Sequence, residues 1–451
     1  MTRRLAKLSR LLPLLSLLLA SQALAGGMLF SPRGARPLGR AGAFVAGADD
    51  GNALYYNPAG LGEISGWSFL FDGGIVLQTA EYTRVDSGGN VQPKVKGSYD
   101  VLPLPQLVLT YQPKRASWFT LGFGIWTPYL GLNSYKEDGP QRYSHITLNG
   151  SLTLIAEVAM SFRLHKNVYL GVGLQNMILK FVSRVMLSSC TELNCAPESS
   201  GFDTLTELSA TSAFTPSAIF GLTVALEKVR FAVAAQLPFW VRARGKVHSR
   251  LPSDPQFVDA TIVGEDVKLK FNLPFDLRVA TELRLRKDLR IEAMFSYAGW
   301  SMQKDFAIEP QNIYIDGIPG VGRYYLGPMS INRSMKDVIG FSLGGEFEAI
   351  KNTLFLRLGW MIETSATPDK TQTVLTPDGL RNYLALGLST KIKNKVRLDL
   401  SYAHVFIQDR TVTASESYQL NPIRPQLAVA VGNGKYSFEA DILSAGLEGR
   451  W

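Results

Sequence analysis

The sequence predicts an all-β fold: a transmembrane antiparallel β-barrel of about 14 strands with an N-terminal plug inside its lumen. Three observations support this prediction. Long segments alternate apolar and polar residues, an export signal leads the chain, and tryptophans stand at the ends of many segments. After the export signal no run of about 18 apolar residues recurs, so the chain is expected either to be soluble or to cross a membrane as a closed barrel.

The alternation decides the class of fold. In residues 151–163 the even-numbered positions are apolar and the odd-numbered ones are mostly polar, over about twice the length of an average globular strand. Because soluble β-sandwiches alternate as well, strand length, strand number and aromatic placement have to separate the two classes. Further segments with the same period are residues 277–285, 290–297, 353–363 and 396–402.

Fourteen segments have the length and period of membrane-crossing strands. Short links alternate with long polar ones, as expected when periplasmic turns alternate with outer loops, and the longest links are residues 303–334 and 408–435. An even number of strands is typical of single-chain outer-membrane barrels. The predicted strands are residues 67–77, 100–111, 118–126, 150–163, 168–181, 211–226, 229–241, 268–284, 289–300, 338–347, 353–362, 383–392, 396–407 and 436–451.

Aromatic residues mark the expected membrane interfaces. The chain ends on Trp451, and an aromatic residue that closes a terminal strand resembles the signal by which outer-membrane barrels are recognised for insertion. The barrel assembly machinery and outer-membrane lipid are therefore expected partners. In the same strand the apolar face changes phase near Ile442 and Leu443, which predicts a β-bulge there. The tryptophans expected in an interfacial girdle are Trp67, Trp118, Trp126, Trp240, Trp300, Trp360 and Trp451.

Composition and charge exclude several other classes of protein. The 451 residues contain only 2 Cys and 4 His, so no metal site and no cofactor is expected. The scattered histidines also argue against an enzyme such as a hydrolase, which needs a nucleophile beside a placed His. The export signal holds four basic residues and no acidic one, and its removal lowers the formal net charge from +9 to +5. A nucleic-acid partner is therefore not expected.

The chain divides into three expected regions. Residues 1–25 form a signal peptide, with basic residues before an apolar run and Ala23-Leu24-Ala25 at the cleavage site. Residues 26–65 are not strand-like, and their small residues and glycines suit a plug folded in a confined lumen. Residues 66–451 form the barrel. A monomer in the outer membrane of a Gram-negative cell is expected.

A family resemblance is carried by residues 48–61, which read ADDGNALYYNPAGL. This segment resembles the hatch signature of the FadL-type family of outer-membrane transporters for long-chain fatty acids and hydrocarbons. The resemblance implies a barrel of about 14 strands with an N-terminal hatch, and passive uptake of hydrophobic molecules through a lateral opening that the hatch gates. Further segments with the order and spacing of the family are residues 356–360, 376–387, 398–402 and 434–436.

The resemblance also assigns residues to the gate and to the opening. The expected gate residues in the hatch are Asn57, Pro58 and Ala59, which would face an opening at the third strand. The residues expected to break the ladder of that strand are Gly122, Gly124 and Pro128. The alternative for the two glycines is that they are small residues under the plug.

The substrate class stays open in the sequence. A fatty acid needs a cation for its carboxylate, whereas a hydrocarbon needs none. Acids such as Glu282 and Asp399 share the lumen phase of the arginines, so salt bridges within the lumen are the alternative role for each arginine. The candidate carboxylate ligands are Arg278, Arg284, Arg357 and Arg397.

Two alternative functions and one covalent link complete the expectations. A general diffusion porin would share the barrel but would not need a plug, and an outer-membrane lipid hydrolase would need a catalytic His. Cys190 and Cys195 lie in the polar segment 188–200 between two strands. Nearby thiols in an exported loop most often pair, so a disulfide between these two residues is predicted.

Overall fold

The structure is a computed structural model that describes residues 29–30, 32–98, 104–130, 134–191, 198–376, 378–393 and 395–451. Its main element is a closed barrel of fourteen antiparallel strands, which confirms the predicted fold class. Each strand pairs with its neighbours along the chain, and the last strand pairs with the first over a long ladder, from Ser68 opposite Arg450 to Arg84 opposite Gly434. The predicted signal peptide, residues 1–25, lies outside the described residues.

The barrel strands are numbered β1 to β14 in chain order, and β6 to β10 each consist of two segments. The strands are β1 (Gly66–Arg84), β2 (Leu104–Gln112), β3 (Phe119–Trp126), β4 (Leu152–His165), β5 (Val168–Ser188), β6 (Asp203–Ser212 and Pro216–Ala225), β7 (Val229–Gln236 and Phe239–Arg250), β8 (Asp266–Leu273 and Asp276–Arg286), β9 (Leu289–Ala298 and Asp305–Pro310), β10 (Met329–Asn332 and Val338–Ile350), β11 (Leu354–Glu363), β12 (Arg381–Ile392), β13 (Val396–Val412) and β14 (Gly434–Arg450).

Short helices and strands complete the described part of the chain. No helix there is both long enough and apolar enough to cross a membrane. The helices are α1 (Ala35–Leu38), α2 (Ala53–Tyr56) and the 3-10 helices Pro58–Glu63, Ser200–Phe202, Pro255–Phe257, Trp300–Met302, Asp369–Thr371 and Pro425–Leu427. The short strands are Leu29–Phe30, Val95–Lys96, Tyr129–Leu130, Thr261–Val263, Tyr314–Asp316 and Tyr324–Tyr325.

The long loops define the upper end of the barrel, and the short turns define the lower end. Strands β6 to β10 are interrupted at matching positions, and Pro238 and Pro274 lie in two of the breaks because proline has no N–H for the ladder. The upper segments of β9 and β10 fall within residues 303–334, which the sequence analysis predicted as a loop. That prediction was wrong because Phe306 and Ile308 point inward there, the reverse of the apolar-outward pattern used to find strands.

The two faces of the wall have opposite character. Large apolar side chains such as Leu174, Leu358 and Leu400 are exposed on the outer face, and polar or small ones alternate with them on the lumen face. Five of the seven tryptophans are exposed, as expected for a girdle. Trp126 and Trp300 are buried inside instead, so the girdle prediction was wrong for these two.

Strand β14 runs without the predicted β-bulge. Its even-numbered residues all face inward, including Tyr436 and Ile442 in the upper half and Ser444 and Glu448 in the lower half. The inward-facing side chains of this strand are therefore apolar in the upper half of the lumen and polar in the lower half. This difference accounts for the change of apolar face that the sequence shows. The strand itself keeps its register across this boundary.

The N-terminal segment, residues 32–65, packs against the inner face of the wall and is almost completely buried. Glycines of the wall make room for it at two places. Gly171 and Gly221 stand opposite each other under Pro58 and Ala59, and Gly344 and Gly359 stand opposite each other under Arg40. A side chain at any of these glycines would occupy the space that the backbone of the segment now fills.

Two neighbouring glycines of β10 test this packing. A Cβ atom on Gly344 would lie 2.4 Å from the Arg40 carbonyl oxygen, whereas a Cβ on Gly345, on the outer face, would meet nothing closer than 3.6 Å. Gly344→Val should therefore loosen the N-terminal segment by about 1–3 kcal/mol, and Gly345→Val should not. Limited proteolysis of the folded barrel in detergent measures the difference, and equal cleavage of both variants would contradict the packing.

Candidate functional site

Charged side chains hold one side of the N-terminal segment to the wall. Nη2 of Arg40 lies 3.1 Å from a carboxylate oxygen of Glu282 on β8 and 3.1 Å from one of Glu292 on β9. Nε of Arg36 lies 3.0 Å from Glu346 on β10. All these groups are buried. Water therefore cannot stabilise either charge, and each charge is stabilised by its partner instead.

Glu292 also binds the backbone of the segment. Its carboxylate accepts hydrogen bonds from the N–H groups of Val45 (2.6 Å), Ala46 (3.1 Å) and Gly47 (2.8 Å). Gly47 fits here because a Cβ atom would lie 2.2 Å from a carboxylate oxygen of Glu282. One wall carboxylate therefore fixes a whole turn of the segment as well as Arg40.

A second ionic contact lies lower in the lumen. Asp50 is bound by Arg36 at 2.9 Å and by Arg397 of β13 at 2.6 Å. Burial alone would raise the pKa of Asp50, but the guanidinium groups of Arg397 and Arg36 hold that pKa below its ordinary value. Asp50 therefore stays ionised and keeps the segment attached at physiological pH.

The predicted gate residues lie on the opposite side of the segment, against β4, β5 and β6. Nδ2 of Asn57 donates to Thr223 Oγ1 at 2.8 Å, and its Oδ1 accepts from the N–H of Ala59 at 3.1 Å. The Ala59 carbonyl accepts from Ser161 Oγ at 2.9 Å. The expectation that Asn57, Pro58 and Ala59 face the third strand was therefore wrong. Paired glycines on β5 and β6 provide the space that this turn occupies.

Leu54 and Leu61 pack on two glycines of β3. A Cβ atom on Gly124 would lie 2.2 Å from Leu54 Cδ2, and one on Gly122 would lie 2.9 Å from Leu61 Cδ1. Both glycines lie within a continuous ladder with β2 and β4, so they do not break it. They are small residues under the plug, which was the alternative interpretation.

The ladder between β3 and β4 ends two residues later. Its last pair is Trp126 opposite Ile155, and Pro128 follows outside the strand. Among the described residues, Leu152–Leu154 pair only with β5 on their other side. The chain beyond Trp126 turns to a new partner, because Tyr129–Leu130 pairs with Leu29–Phe30 near the start of the chain. Among the described residues the ladder between β3 and β4 therefore stops beside Pro128, and this place is called the gap below.

Aromatic and cationic groups line the inner side of this gap. The rings of Tyr55 and Trp126 are 6.0 Å apart in an edge-to-face arrangement, and Arg33 lies 5.7 Å from the Trp126 ring. Tyr55 also contacts Arg278, whose Cζ lies 4.7 Å from its ring. The N-terminal segment and the wall thus meet at the gap through an edge-to-face aromatic pair and two cation–π contacts.

Three of the four predicted carboxylate ligands are occupied by acids. Arg278 binds Asp276 at 2.8 Å, Arg357 binds Glu346 at 2.5 Å, and Arg397 binds Asp399 at 2.8 Å. Arg284 is half exposed and 3.8 Å from Glu282. The alternative of salt bridges within the lumen describes the first three, which hold the barrel and the N-terminal segment together.

The upper half of the lumen contains an apolar cavity, the upper chamber. It encloses about 80 Å³ between the inner faces of β5 to β10 and side chains of the outer loops. Its polar groups are hydroxyls, such as those of Ser183, Thr206 and Ser249. The side chains that close it include Phe181, Leu208, Leu269, Phe306, Leu326 and Leu420.

Arg333 lies beside Phe306, one of the side chains that line the upper chamber, and the sequence analysis missed it. Its guanidinium lies 5.3 Å from the ring of Phe306, and its Nη1 is 3.2 Å from Thr376 Oγ1. Arg333 is 1 % exposed, its Nε has no hydrogen-bond partner, and no carboxylate of the described residues lies within ion-pair distance. It lies between two strand segments, in residues that the sequence assigned to a loop, so the lumen phase of the strands gave no signal for it.

The lower end of the lumen has the opposite character. A basin of about 790 Å³ opens there, lined almost entirely by charged side chains such as Lys228, Arg284, Lys391 and Arg450. The N-terminal segment, with Arg36 and Asp49, lies between this basin and the apolar region above. The lumen is therefore polar below the segment and apolar above it.

The predicted disulfide stays a prediction. Cys190 is buried, and its carbonyl accepts a hydrogen bond from Asn421 Nδ2 at 3.0 Å. Cys195 lies outside the described residues. Among the residues that are described, no group of His, Cys, Asp and Glu is arranged to hold a metal ion.

Comparison with known proteins places this geometry among transport proteins. Residues 16–445 match the family model described as "Outer membrane protein transport protein (OMPP1/FadL/TodX)". The structure is similar to that of a Pseudomonas aeruginosa FadL homologue, with a TM-score of 0.75, 13% identity and coverage of 95% of this chain and 100% of the other. No curated protein matches the sequence.

Two further solved structures are similar at low identity. The Ralstonia pickettii toluene transporter TbuX has a TM-score of 0.64 and 13% identity, over 94% of this chain and 99% of its own. The P. putida toluene transporter TodX has a TM-score of 0.65 and 15% identity, over the same shares. At these identities the structures show a shared fold.

The attachment of the N-terminal segment can be tested at Glu292. Glu292→Gln keeps the size of the side chain but removes the negative charge of the carboxylate that binds Arg40 and accepts hydrogen bonds from three backbone N–H groups. The attachment of the segment should therefore weaken by about 3 kcal/mol. Cells that carry this variant should become sensitive to large antibiotics. Glu207→Gln is the control, since its pair with Arg184 is exposed on the outer face. Unchanged sensitivity at equal amounts of folded barrel would contradict the attachment.

Proposed function

Because the chain belongs to the OMPP1/FadL/TodX family of outer membrane transport proteins, we propose that it takes up hydrophobic compounds through the gap between β3 and β4. It is an outer-membrane β-barrel and a transport protein rather than an enzyme. The proposed substrates are long-chain fatty acids or hydrocarbons, and toluene is the substrate named for two of its structural neighbours. In this proposal the movement is passive, and the substrate enters from above and leaves sideways.

The polarity of the lumen carries this proposal. The upper chamber is apolar, whereas the lower basin is charged and is separated from it by the N-terminal segment. A molecule that left through the basin would expose apolar surface to water, at a cost of about 0.8 kcal/mol for each CH₂ group. An exit through the wall keeps the same surface in apolar surroundings, because the outer face at this height is in contact with lipid.

The N-terminal segment acts as the hatch in this proposal. It contacts the gap in two ways: Leu54 packs against β3 at Gly124, and Leu29–Phe30 pairs with the chain that has left β3. Asn57, Pro58 and Ala59 attach the hatch to β4, β5 and β6 and do not form the exit. Loosening the hatch near Leu54 would widen the gap while the ionic contacts on the other side hold.

A general diffusion porin is the alternative function that the barrel itself allows. A porin keeps an aqueous channel, whereas here the N-terminal segment fills the middle of the lumen with buried side chains. The described residues therefore favour selective uptake. Single-channel conductance of the purified protein should stay close to the background of the bilayer.

The lateral route can be tested by photo-cross-linking from two matched leucines. Leu152 lies on the outer face of β4 beside the gap, and Leu358 lies on the outer face of β11, where the ladder is complete on both sides. A benzophenone amino acid at position 152 should capture radiolabelled oleate or toluene at least threefold more than one at position 358, because substrate leaves the wall there. Labelling at position 358 measures the background from substrate that is dissolved in the membrane.

A third position separates the lateral route from a vertical one. A benzophenone at Arg284, in the lower basin, should remain unlabelled while uptake proceeds. Labelling at position 284 as fast as at position 152 would contradict the lateral exit. Equal labelling at positions 152 and 358 would contradict the gap as the place of exit. Uptake is measured in the same cells, so that each labelled variant is known to transport.

Arg333 can decide between the two substrate classes. Its guanidinium has no carboxylate partner among the described residues and lies beside Phe306 of the apolar chamber, so it is suited to bind the carboxylate of a substrate. If fatty acids are the substrates, Arg333→Met should lower oleate uptake about tenfold, as expected for the loss of one charge-assisted hydrogen bond, and leave toluene uptake unchanged. Arg323→Met is the control, because Arg323 is exposed and paired with Asp316. An equal loss for both substrates would show that Arg333 only supports the fold.

A further inference from the structure

The outer face of β7 changes character at Trp240. Below this residue the outward side chains are apolar, as at Phe231 and Val233, and Trp240 itself is 54 % exposed. Above it the outward side chains are Arg242 and Arg244. Because exposed tryptophans lie at membrane interfaces, this change marks the upper boundary of the lipid-facing band.

Strand β8 adds two more cations directly beside the first two. In the ladder between β7 and β8, Arg242 stands opposite Lys270, and Arg244 stands opposite Lys268. Opposite positions bring side chains to about 4.5–5.5 Å at Cβ, and like charges placed in this way repel each other. The four residues Arg242, Arg244, Lys268 and Lys270 form one cluster, the basic patch.

The acids near the basic patch do not neutralise it. Glu309 on β9 binds Lys270 at 2.5 Å, and Glu265 binds Lys246, the next cation up on β7. Within the described residues, Arg242, Arg244 and Lys268 have no ion pair. The patch therefore keeps a net positive charge of about three, held on a rigid part of the wall.

We propose that the basic patch binds the phosphate groups of a glycolipid in the outer leaflet of the membrane. Its height fits, because Arg242 and Arg244 lie two and four residues above Trp240, about 7–14 Å along the strand, where lipid headgroups begin. Its chemistry fits as well, since guanidinium groups bind phosphate oxygens with two parallel hydrogen bonds. A bound phosphate replaces the repulsion between opposite cations with attraction. This site is separate from the transport route, which lies at β3 and β4.

Thermal unfolding with defined lipids tests the proposal. The probe is bis-phosphorylated lipid A added to the full-length folded protein in detergent, with dephosphorylated lipid A as the second ligand. The double variant Arg242→Gln/Arg244→Gln should bind lipid A at least tenfold more weakly than the natural protein. Its control is Arg184→Gln/Arg250→Gln, which removes the same charge from exposed arginines already paired with Glu207 and Glu137 and should bind within twofold of the natural protein.

The unfolding temperature without lipid gives a second readout that does not depend on the ligand. Each of the two removed arginines stands opposite a lysine that repels it, so their removal should leave this temperature unchanged or raise it, which also shows that the variant is folded. Lipid A should then raise the unfolding temperature of the natural protein and of the control but not of the variant, and dephosphorylated lipid A should raise none. Equal shifts for variant and natural protein, or equal shifts with both lipids, would overturn the proposal.

Discussion

The structure depends on one constraint: a backbone N–H or C=O group that faces lipid has no water to bind, so the wall must satisfy its own hydrogen bonds. The long ladder between β1 and β14 meets this constraint by closing the sheet, and the closed sheet fixes which side chains face inward. A closed wall of fourteen strands leaves a lumen too wide for its own side chains to fill. The N-terminal segment fills it, and the polarity of the lumen follows from how that segment is attached.

The attachment is ionic on one side and close-packed on the other. Arg36 and Arg40 are bound by carboxylates of β8, β9 and β10, whereas the turn around Pro58 lies directly on the paired glycines of β5 and β6. A buried charge pair is costly to break, because each partner left alone loses both its water and its counter-ion. The ionic side is therefore the fixed side. The side that contacts β3 through Leu54 and Leu61 relies on van der Waals contact, which yields more readily.

The sequence predicted the strands because, in a strand that faces lipid, the apolar residues of the alternating pattern always point outward. It failed where that direction reverses: Phe306 and Ile308 point inward above the membrane, and Trp126 points into the lumen. The sequence also offered salt bridges with acids as the alternative role of the lumen arginines, since both types share one phase, but it could not assign partners. Arg40 with Glu292 joins residues 252 positions apart, and only the closed barrel brings them together. Arg333 was missed because it lies in a break between two strand segments, where side chains do not alternate between the two faces of the wall.

The gap beside β3 is a place where the ladder between two neighbouring strands of the wall stops early. Beyond Trp126 the chain leaves β4, and the outer edge of Leu152–Leu154 loses its neighbour. The departing chain does not stay unpaired, because Tyr129–Leu130 forms a ladder with Leu29–Phe30, the start of the described chain. The same segment that fills the lumen thus also supplies the hydrogen bonds that β4 gives up. Opening the gap further requires those bonds to break, so the position of the N-terminal segment and the width of the opening are coupled through the backbone itself.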